Sequence, residues 1–296
     1  MYLDFLDLDD CGGPNPVHVW PVPYQGTVSF DTGTRNGPEA LLKASYQIET
    51  YDAELDADIS DYCCFKTLPF QRPNVSSPEN LQKEMHAFLE GYDPSKDFIL
   101  TLGGEHSIAF PPISFYAGYY PDLTVIQVDA HADLRNSFQG SSYSHACVMS
   151  RVKDLGLRTV SLGIRSMDRE QAQIIKDGHD HIMVMHPWNL PSPARAAEMV
   201  KDFSGPGPVY ITFDVDGMDP CVIPGTGTPE PGGLQYHWIN DFWRHFWPGP
   251  RLVGMDFCEL APRPDSVLSE STGVKCILKI LLSYFRTIQP PKPAET

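Results

Sequence analysis

The run Leu-Thr-Val-Ile-Gln-Val (123–128), followed at once by Asp129-Ala-His-Ala-Asp133, constrains this chain more than any other stretch. The first six residues are mostly apolar or β-branched, the pattern of a buried strand. Asp129, His131 and Asp133 then alternate, so wherever the backbone stays extended their side chains share one side. A second stretch repeats the arrangement: Val209-Tyr-Ile-Thr-Phe213 reads as a buried strand and runs into Asp214-Val-Asp216. One acidic turn after a strand is common. Two of them, one carrying histidine, point to a metal site built from oxygen and imidazole.

The rest of the chain alternates in the same way. Strands are expected at 17–22, 97–102, 123–128, 158–164, 181–186, 209–213 and 251–257. Helices are expected at 38–46, 77–92, 168–176, 192–203, 235–247 and 271–286, with another opening at His145. Pro38 and Pro78 sit where a helix tolerates proline, and Ser77 can cap the second helix. Residues 52–76 show no clear period, and 1–16, acidic and then rich in Gly and Pro, read as a loose arm. This pattern predicts a single-domain, three-layer α/β/α fold over 1–296 with a mostly parallel sheet. Such sheets bind ligands at the carboxyl ends of their strands. His106, the 129–133 and 214–216 clusters and Glu259 all follow predicted strands, so four strand ends should meet on one rim.

Charge narrows the partners. The chain carries 38 acidic and 22 basic residues, a net charge of −16. That disfavours nucleic acid and anionic membrane surfaces and favours a small cationic substrate. The N-terminus is acidic where a signal peptide is basic, and no apolar run reaches membrane-spanning length. Seven cysteines, an odd number with no Cys-x-x-Cys pair, fit a reducing compartment. A cytoplasmic protein is expected.

The candidate rim holds His106, Asp129, His131, Asp133, Asp214, Asp216, His145 and Glu259. Four aspartates among its ligand-type residues supply four negative charges, which would repel or take up protons unless cations balance them. Two divalent cations would do so. Oxygen and imidazole without thiolate favour Mn²⁺, and Fe²⁺, Ni²⁺ and Zn²⁺ also suit such donors. Trp238, Phe242, Trp243, Phe246 and Trp247 recur at helical spacing and read as core or as a subunit contact. Asp219, before a proline in a turn, reads as structural.

These motifs resemble those of the ureohydrolase family of arginases, agmatinases and related guanidino hydrolases. The resemblance rests on Gly-Gly-Glu-His-Ser (103–107), Asp-Ala-His-Ala-Asp (129–133), Ser-His-Ala (144–146), Asp-Val-Asp-Gly-Met-Asp-Pro (214–220), the stretches 224–234 and 255–262, and Gly33-Thr-Arg-Asn-Gly-Pro-Glu39. It spans nearly the whole chain and is nearest the agmatinase branch. It implies that His106 and Asp133 hold one metal, that His131 and Asp216 hold the other, and that Asp129 and Asp214 contact both. It further implies that His145 transfers a proton, that Glu259 holds a guanidinium, and that the chain assembles as a homotrimer or homohexamer. The implied reaction is hydrolysis of agmatine to putrescine and urea. A guanidino-acid hydrolase, guanidinobutyrase-like or arginase-like, stays open as an alternative, as does a deacetylase-like hydrolase with one zinc. Specificity is expected in the 24–36 and 134–144 loops. There Gln25, Asn136 and Ser137 replace acidic residues frequent in agmatinase-like sequences, and Arg135 could face a substrate carboxylate.

Overall fold

Among the described residues, ten strands form in chain order: β1 (Pro16–Val22), β2 (Tyr51–Asp52), β3 (Ala57–Asp58), β4 (Cys64–Thr67), β5 (Phe98–Gly103), β6 (Thr124–Val128), β7 (Arg158–Leu162), β8 (Ile182–Met185), β9 (Val209–Asp214) and β10 (Leu252–Cys258). The computed structural model describes residues 3–7, 14–72 and 76–288. Eight strands make one sheet in the order β4-β1-β5-β10-β9-β6-β7-β8, and β2 and β3 form a separate antiparallel ribbon. Every pairing in the large sheet is parallel. This agrees with the expected α/β class. Parallel strands need crossover connections, and here the helices supply them.

The helices are α1 (Gly37–Ser45), α2 (Pro78–Leu89), α3 (Phe110–Ala117), α4 (Val148–Asp154), α5 (Arg169–Asp177), α6 (Pro193–Ser204), α7 (Tyr236–Phe246) and α8 (Leu268–Ile288). They sort onto two faces. Leu41, Val200, Phe242 and Ile277, from α1, α6, α7 and α8, share one core cluster with Leu100, Ile126 and Ile211 of the sheet. Ile113, Val148 and partly buried Ile174, from α3, α4 and α5, pack with Val125 and Tyr210, which point the other way from the same strands. Leu81 and Met85 of α2 cover Trp20 and Ile99 on that second face. Alternate residues of one strand thus feed opposite cores, which is why these strands read as unbroken apolar runs. Burial at about 25 cal/mol per Å² of apolar surface is the main force holding the three layers together.

Several expectations need correction. Residues 1–16 are not simply a loose arm: Phe5 and Leu6 are buried in the core, Phe5 lies 5.0 Å from the Phe65 ring, and its N–H donates to Thr67 Oγ1 at 2.8 Å. Residues 1–2 and 8–13 of that arm lie outside the described residues. Helix α3 was not expected; Pro111 and Pro112 fill its first turn, where no intrahelical N–H is needed. Strand β4 lies within the stretch that had no period, and its four residues pair at the sheet edge. The aromatic stripe is core: Phe242, Trp243, Phe246 and Trp247 are buried, while Trp238 is half-buried and donates from Nε1 to the Pro191 carbonyl at 3.1 Å. Among the described residues no helix is long and apolar enough to cross a membrane.

Candidate metal centre and active site

The strands that carry the candidate residues are β5, β10, β9 and β6, four consecutive neighbours in the sheet. Register aligns their ends. Cys258 pairs with Asp214 and Val128 with Phe213, so Asp129 and Glu259 each leave their strand beside Asp214. His106 opens a short 3₁₀ turn just after β5. The metal-ligand candidates and Glu259 are buried except His131, which is 28% exposed and faces a cavity, and His145 is half-buried. The cavity measures about 320 Å³ and is lined by His106, His131, Asp133, Asp214, Asp216 and Glu259, with His145 at its side.

Two sets of atoms converge there. His106, Asp129 and Asp214 form one group able to hold a metal ion, and Asp129, His131 and Asp216 form a second. The Asp129 carboxylate is divided between them. Its Oδ2 lies 3.3 Å from His106 Nδ1, and its Oδ1 lies 3.7 Å from His131 Nδ1. Asp133 Oδ2 is 2.9 Å and Asp214 Oδ2 3.6 Å from His106 Nδ1, and Asp216 Oδ2 is 3.0 Å from His131 Nδ1. The structure therefore brings all six expected ligand residues together. Asp214 groups with His106 and Asp129 in the first set.

The supporting hydrogen bonds orient these atoms. His106 Nε2 lies 2.7 Å from Thr212 Oγ1, which itself donates to Asp256 Oδ1 at 2.9 Å. A hydroxyl has one proton to give, so Nε2–H donates to Thr212 and Nδ1 is the atom turned to the carboxylates. Three carboxylate oxygens around one imidazole nitrogen need a proton or a cation among them. Gln127 Nε2 donates to Asp129 Oδ2 at 2.8 Å, and the His131 N–H to Oδ1 at 2.6 Å. The Ala130 N–H and Thr228 Oγ1 brace the two oxygens of Asp216 at 3.0 Å each. Such outer contacts are what a ligand set needs to hold its geometry. The residues present fit a pair of divalent cations on these grounds.

Titration behaviour shows the same excess of negative charge. Burial, and after it the charges of Asp216 and Asp129, push Asp214 well above the usual carboxylate range. Burial and then Asp129 also push Asp133 up. Burial opposes charge on His131, but Asp216 and Asp129 outweigh it and raise this imidazole to about 12. Burial and then the Glu105 charge raise Glu259 to about 8, a carboxyl that gains from a permanent cation beside it. Backbone strain collects at the same place. Asp133 and Glu259 take positive φ, 50° and 63°, a conformation that costs a non-glycine residue about 1–3 kcal/mol. The Glu259 N–H is held by the Gly104 carbonyl at 2.7 Å, and its Oε1 accepts from the His106 N–H at 2.6 Å. A side chain at Gly104 would collide with the Tyr24 backbone, so glycine is required for this close approach.

Three features were missed or misread in the sequence. Arg165 donates to the carbonyls of Gly163, Asp216, Gly217, Met218 and Glu230, at 2.6–3.2 Å, and clamps the loop that carries Asp216. Ser166, Met167 and Asp168, between β7 and α5, line the cavity mouth with Ser29, Arg135 and Phe138, and Gln171 of α5 lines the cavity behind them. By contrast Gln25 braces its own loop by accepting from the Gly33 N–H at 2.8 Å, and Asn136 accepts from Arg151 at 2.8 Å. Neither lines the cavity, nor does Ser137. Arg135 forms an ion pair with Asp168 at 2.9 Å and lies 5.4 Å over the Phe138 ring. Asp219 accepts from the N–H groups of Cys221, Gly232 and Gly233, the structural turn role expected of it.

A parallel α/β sheet whose central strand ends present a shared carboxylate between two imidazole–carboxylate groups defines a metal-dependent hydrolase class. The chain belongs to the arginase family, whose model matches residues 15–283. It is 34% identical over 281 residues to an N(1)-aminopropylagmatine ureohydrolase of Synechocystis sp., covering 93% of this chain and 91% of that one. It is 32% identical over 276 residues to an agmatinase of Bacillus cereus, covering 91% and 92%. The crystal structure of an agmatine ureohydrolase of Thermoplasma volcanium superposes with a TM-score of 0.82 at 25% identity, covering 96% of this chain and 94% of that one.

Proposed function

We infer that this chain hydrolyses a guanidino compound to urea and an amine, with agmatine, giving putrescine, as the leading substrate. The observation that carries the reading is the Asp129 carboxylate shared between two candidate metal groups in the cavity that Glu259 and His145 line. His106, Asp129, Asp133 and Asp214 would hold one cation, and Asp129, His131 and Asp216 the other, with Mn²⁺ the ion this donor set suits best. When bound, the pair would supply water acidified toward neutral pH. Glu259 binds the guanidinium through charge-assisted hydrogen bonds and presents its planar carbon to the attacking oxygen. Cleavage must release an amine, a poor leaving group until it is protonated, and His145 delivers that proton. The surrounding burial keeps bulk water from competing.

The mouth of the cavity bears on the substrate's far end. The Arg135 charge is already matched by Asp168 and rests on Phe138, which argues against a guanidino acid that would need a free cation. Asp168 is matched by that same pair, so what favours a cationic far end is the net charge of −16 rather than a free group at the mouth. The same charge suits the added ammonium of N(1)-aminopropylagmatine, so that longer amine is the second reading. Urea release should be measured across agmatine, N(1)-aminopropylagmatine, 4-guanidinobutyrate and arginine. The two amines are expected to exceed the two acids in kcat/KM by at least about tenfold, a difference of about 1.4 kcal/mol. Release from none of the four, or a preference for an acid, would overturn the assignment.

We further propose a cytoplasmic homotrimer or homohexamer, organised as one hydrolase unit along the chain. The buried stripe in α7 leaves other apolar groups for the contact, among them Trp188 at 68% exposure. Light scattering at micromolar concentration should give a mass of three or six chains, and a monomer would refute the assembly.

A further inference from the structure

Glu105 is buried, 1% exposed, and is neither a candidate metal ligand nor a cavity-mouth residue. Its carboxylate receives four hydrogen bonds. Oε2 accepts from the Gly26 N–H at 2.5 Å and the Thr27 N–H at 2.7 Å, and Oε1 accepts from Thr27 Oγ1 and Ser107 Oγ at 2.6 Å each. An ionised carboxylate offers about four lone-pair positions and no proton, so this is the form that satisfies all four donors.

The consequence falls on Thr27. Its hydroxyl has one proton and two lone pairs, and the proton is committed to Glu105. The same oxygen lies 2.9 Å from His145 Nδ1 and 3.2 Å from the His145 N–H. Toward the ring it can only accept, so Nδ1 carries a proton. The two lone pairs and the one proton of the hydroxyl are then all used. Among the described residues, the hydrogen bonds of the His145 ring run through Nδ1, the longer one, 3.4 Å, to Ser144 Oγ. The Phe138 ring packs against the imidazole at 5.6 Å, nearly perpendicular.

We propose that Glu105 and Thr27 are positioning residues that lock the His145 imidazole with its proton on Nδ1, leaving Nε2 as the atom that exchanges a proton with the reacting amine. This rests on the guanidino-hydrolase reading above. The logic is that of a carboxylate orienting a catalytic histidine, with a threonine hydroxyl interposed. Glu105→Gln keeps the shape but can turn an amide N–H toward Thr27. That would free the hydroxyl proton to point at Nδ1 and move the ring proton to Nε2.

The test is a kinetic cycle on the Mn²⁺-loaded enzyme with agmatine. Thr27→Val should lower kcat about 10–100-fold, part of the 10²–10⁴-fold worth of a general acid, with KM within about threefold. Thr27→Ser, which restores the hydroxyl, should recover most of the rate, and Glu105→Gln should lower kcat in the same range as Thr27→Val. In a His145→Ala background, Thr27→Val should cost less than about threefold, because residues acting through one another are not additive. A residue that only shapes the loop would still lower the rate in that background. If Thr27→Val leaves wild-type kcat, or loses the same factor with and without His145, the dyad is wrong while the hydrolase reading stands. If the wild type releases no urea from any guanidino compound, that reading has failed and the dyad falls with it.

Discussion

Asp129→Ala should empty both candidate metal groups and lower urea release by at least about 10³-fold. The metal centre is expected to supply several kcal/mol of transition-state stabilisation, and each 1.36 kcal/mol is tenfold in rate. The geometry singles out this residue because it alone appears in both groups. Its Oδ2 faces His106 Nδ1 at 3.3 Å and its Oδ1 faces His131 Nδ1 at 3.7 Å. Removing it takes one donor from each cation rather than two from one. The fold should survive. Asp129 pushes Asp133 upward after burial, and Asp214 after burial and Asp216, so its loss relieves some like-charge crowding, but it also leaves the buried Gln127 Nε2 and His131 N–H donors without their acceptor. The metal-free variant should therefore still unfold in one cooperative transition, at a midpoint no higher than that of the metal-free wild type. Elemental analysis after loading with Mn²⁺ should find close to two ions per chain in the wild type and well under one in the variant. A variant that keeps two ions and a normal rate would remove the basis for a shared carboxylate.

How much of this was legible beforehand depends on what kind of signal each part leaves. The metal residues could be read because β6 and β9 are buried on both faces and so appear as unbroken apolar runs that stop at an acid. The rim could be read because a parallel sheet aligns carboxyl ends. What could not be read were features that depend on contacts across the chain. Thr27 and Glu105 lie 78 residues apart, and Thr27 and His145 lie 118 apart. No local spacing encodes those meetings. Arg165 looks like any arginine after a strand, and only the folded loop 216–230 gives it four of the five carbonyls it holds. Gln25 and Asn136 misled for the converse reason. Their loops do approach the cavity, but each side chain turns back to satisfy nearby backbone or Arg151 donors. Helix α3 was hidden by its two prolines and its nearly uniform apolarity, which leaves no 3.6-residue period to detect.

His145→Ala should separate proton transfer from metal binding. The His145 ring touches Thr27, Ser144 and Phe138, and it contributes no atom to either candidate metal group. Both ions should therefore remain when it is removed. The rate should not. An amine expelled without a proton leaves as a strongly basic anion, and a lost general acid lowers kcat by roughly 10²–10⁴-fold. KM should move little, because Glu259 rather than His145 is assigned to hold the guanidinium, and an interaction made mainly in the transition state appears in kcat. Added imidazole should recover part of the rate by entering the space left beside Thr27 and Phe138. This pattern differs from that of Asp129→Ala, where metal and activity are lost together and imidazole has no role. Retention of two ions with near-normal kcat would mean that another group protonates the leaving amine. In that case the Glu105–Thr27–His145 chain would have to be read as a brace for the loop rather than as part of the catalytic apparatus.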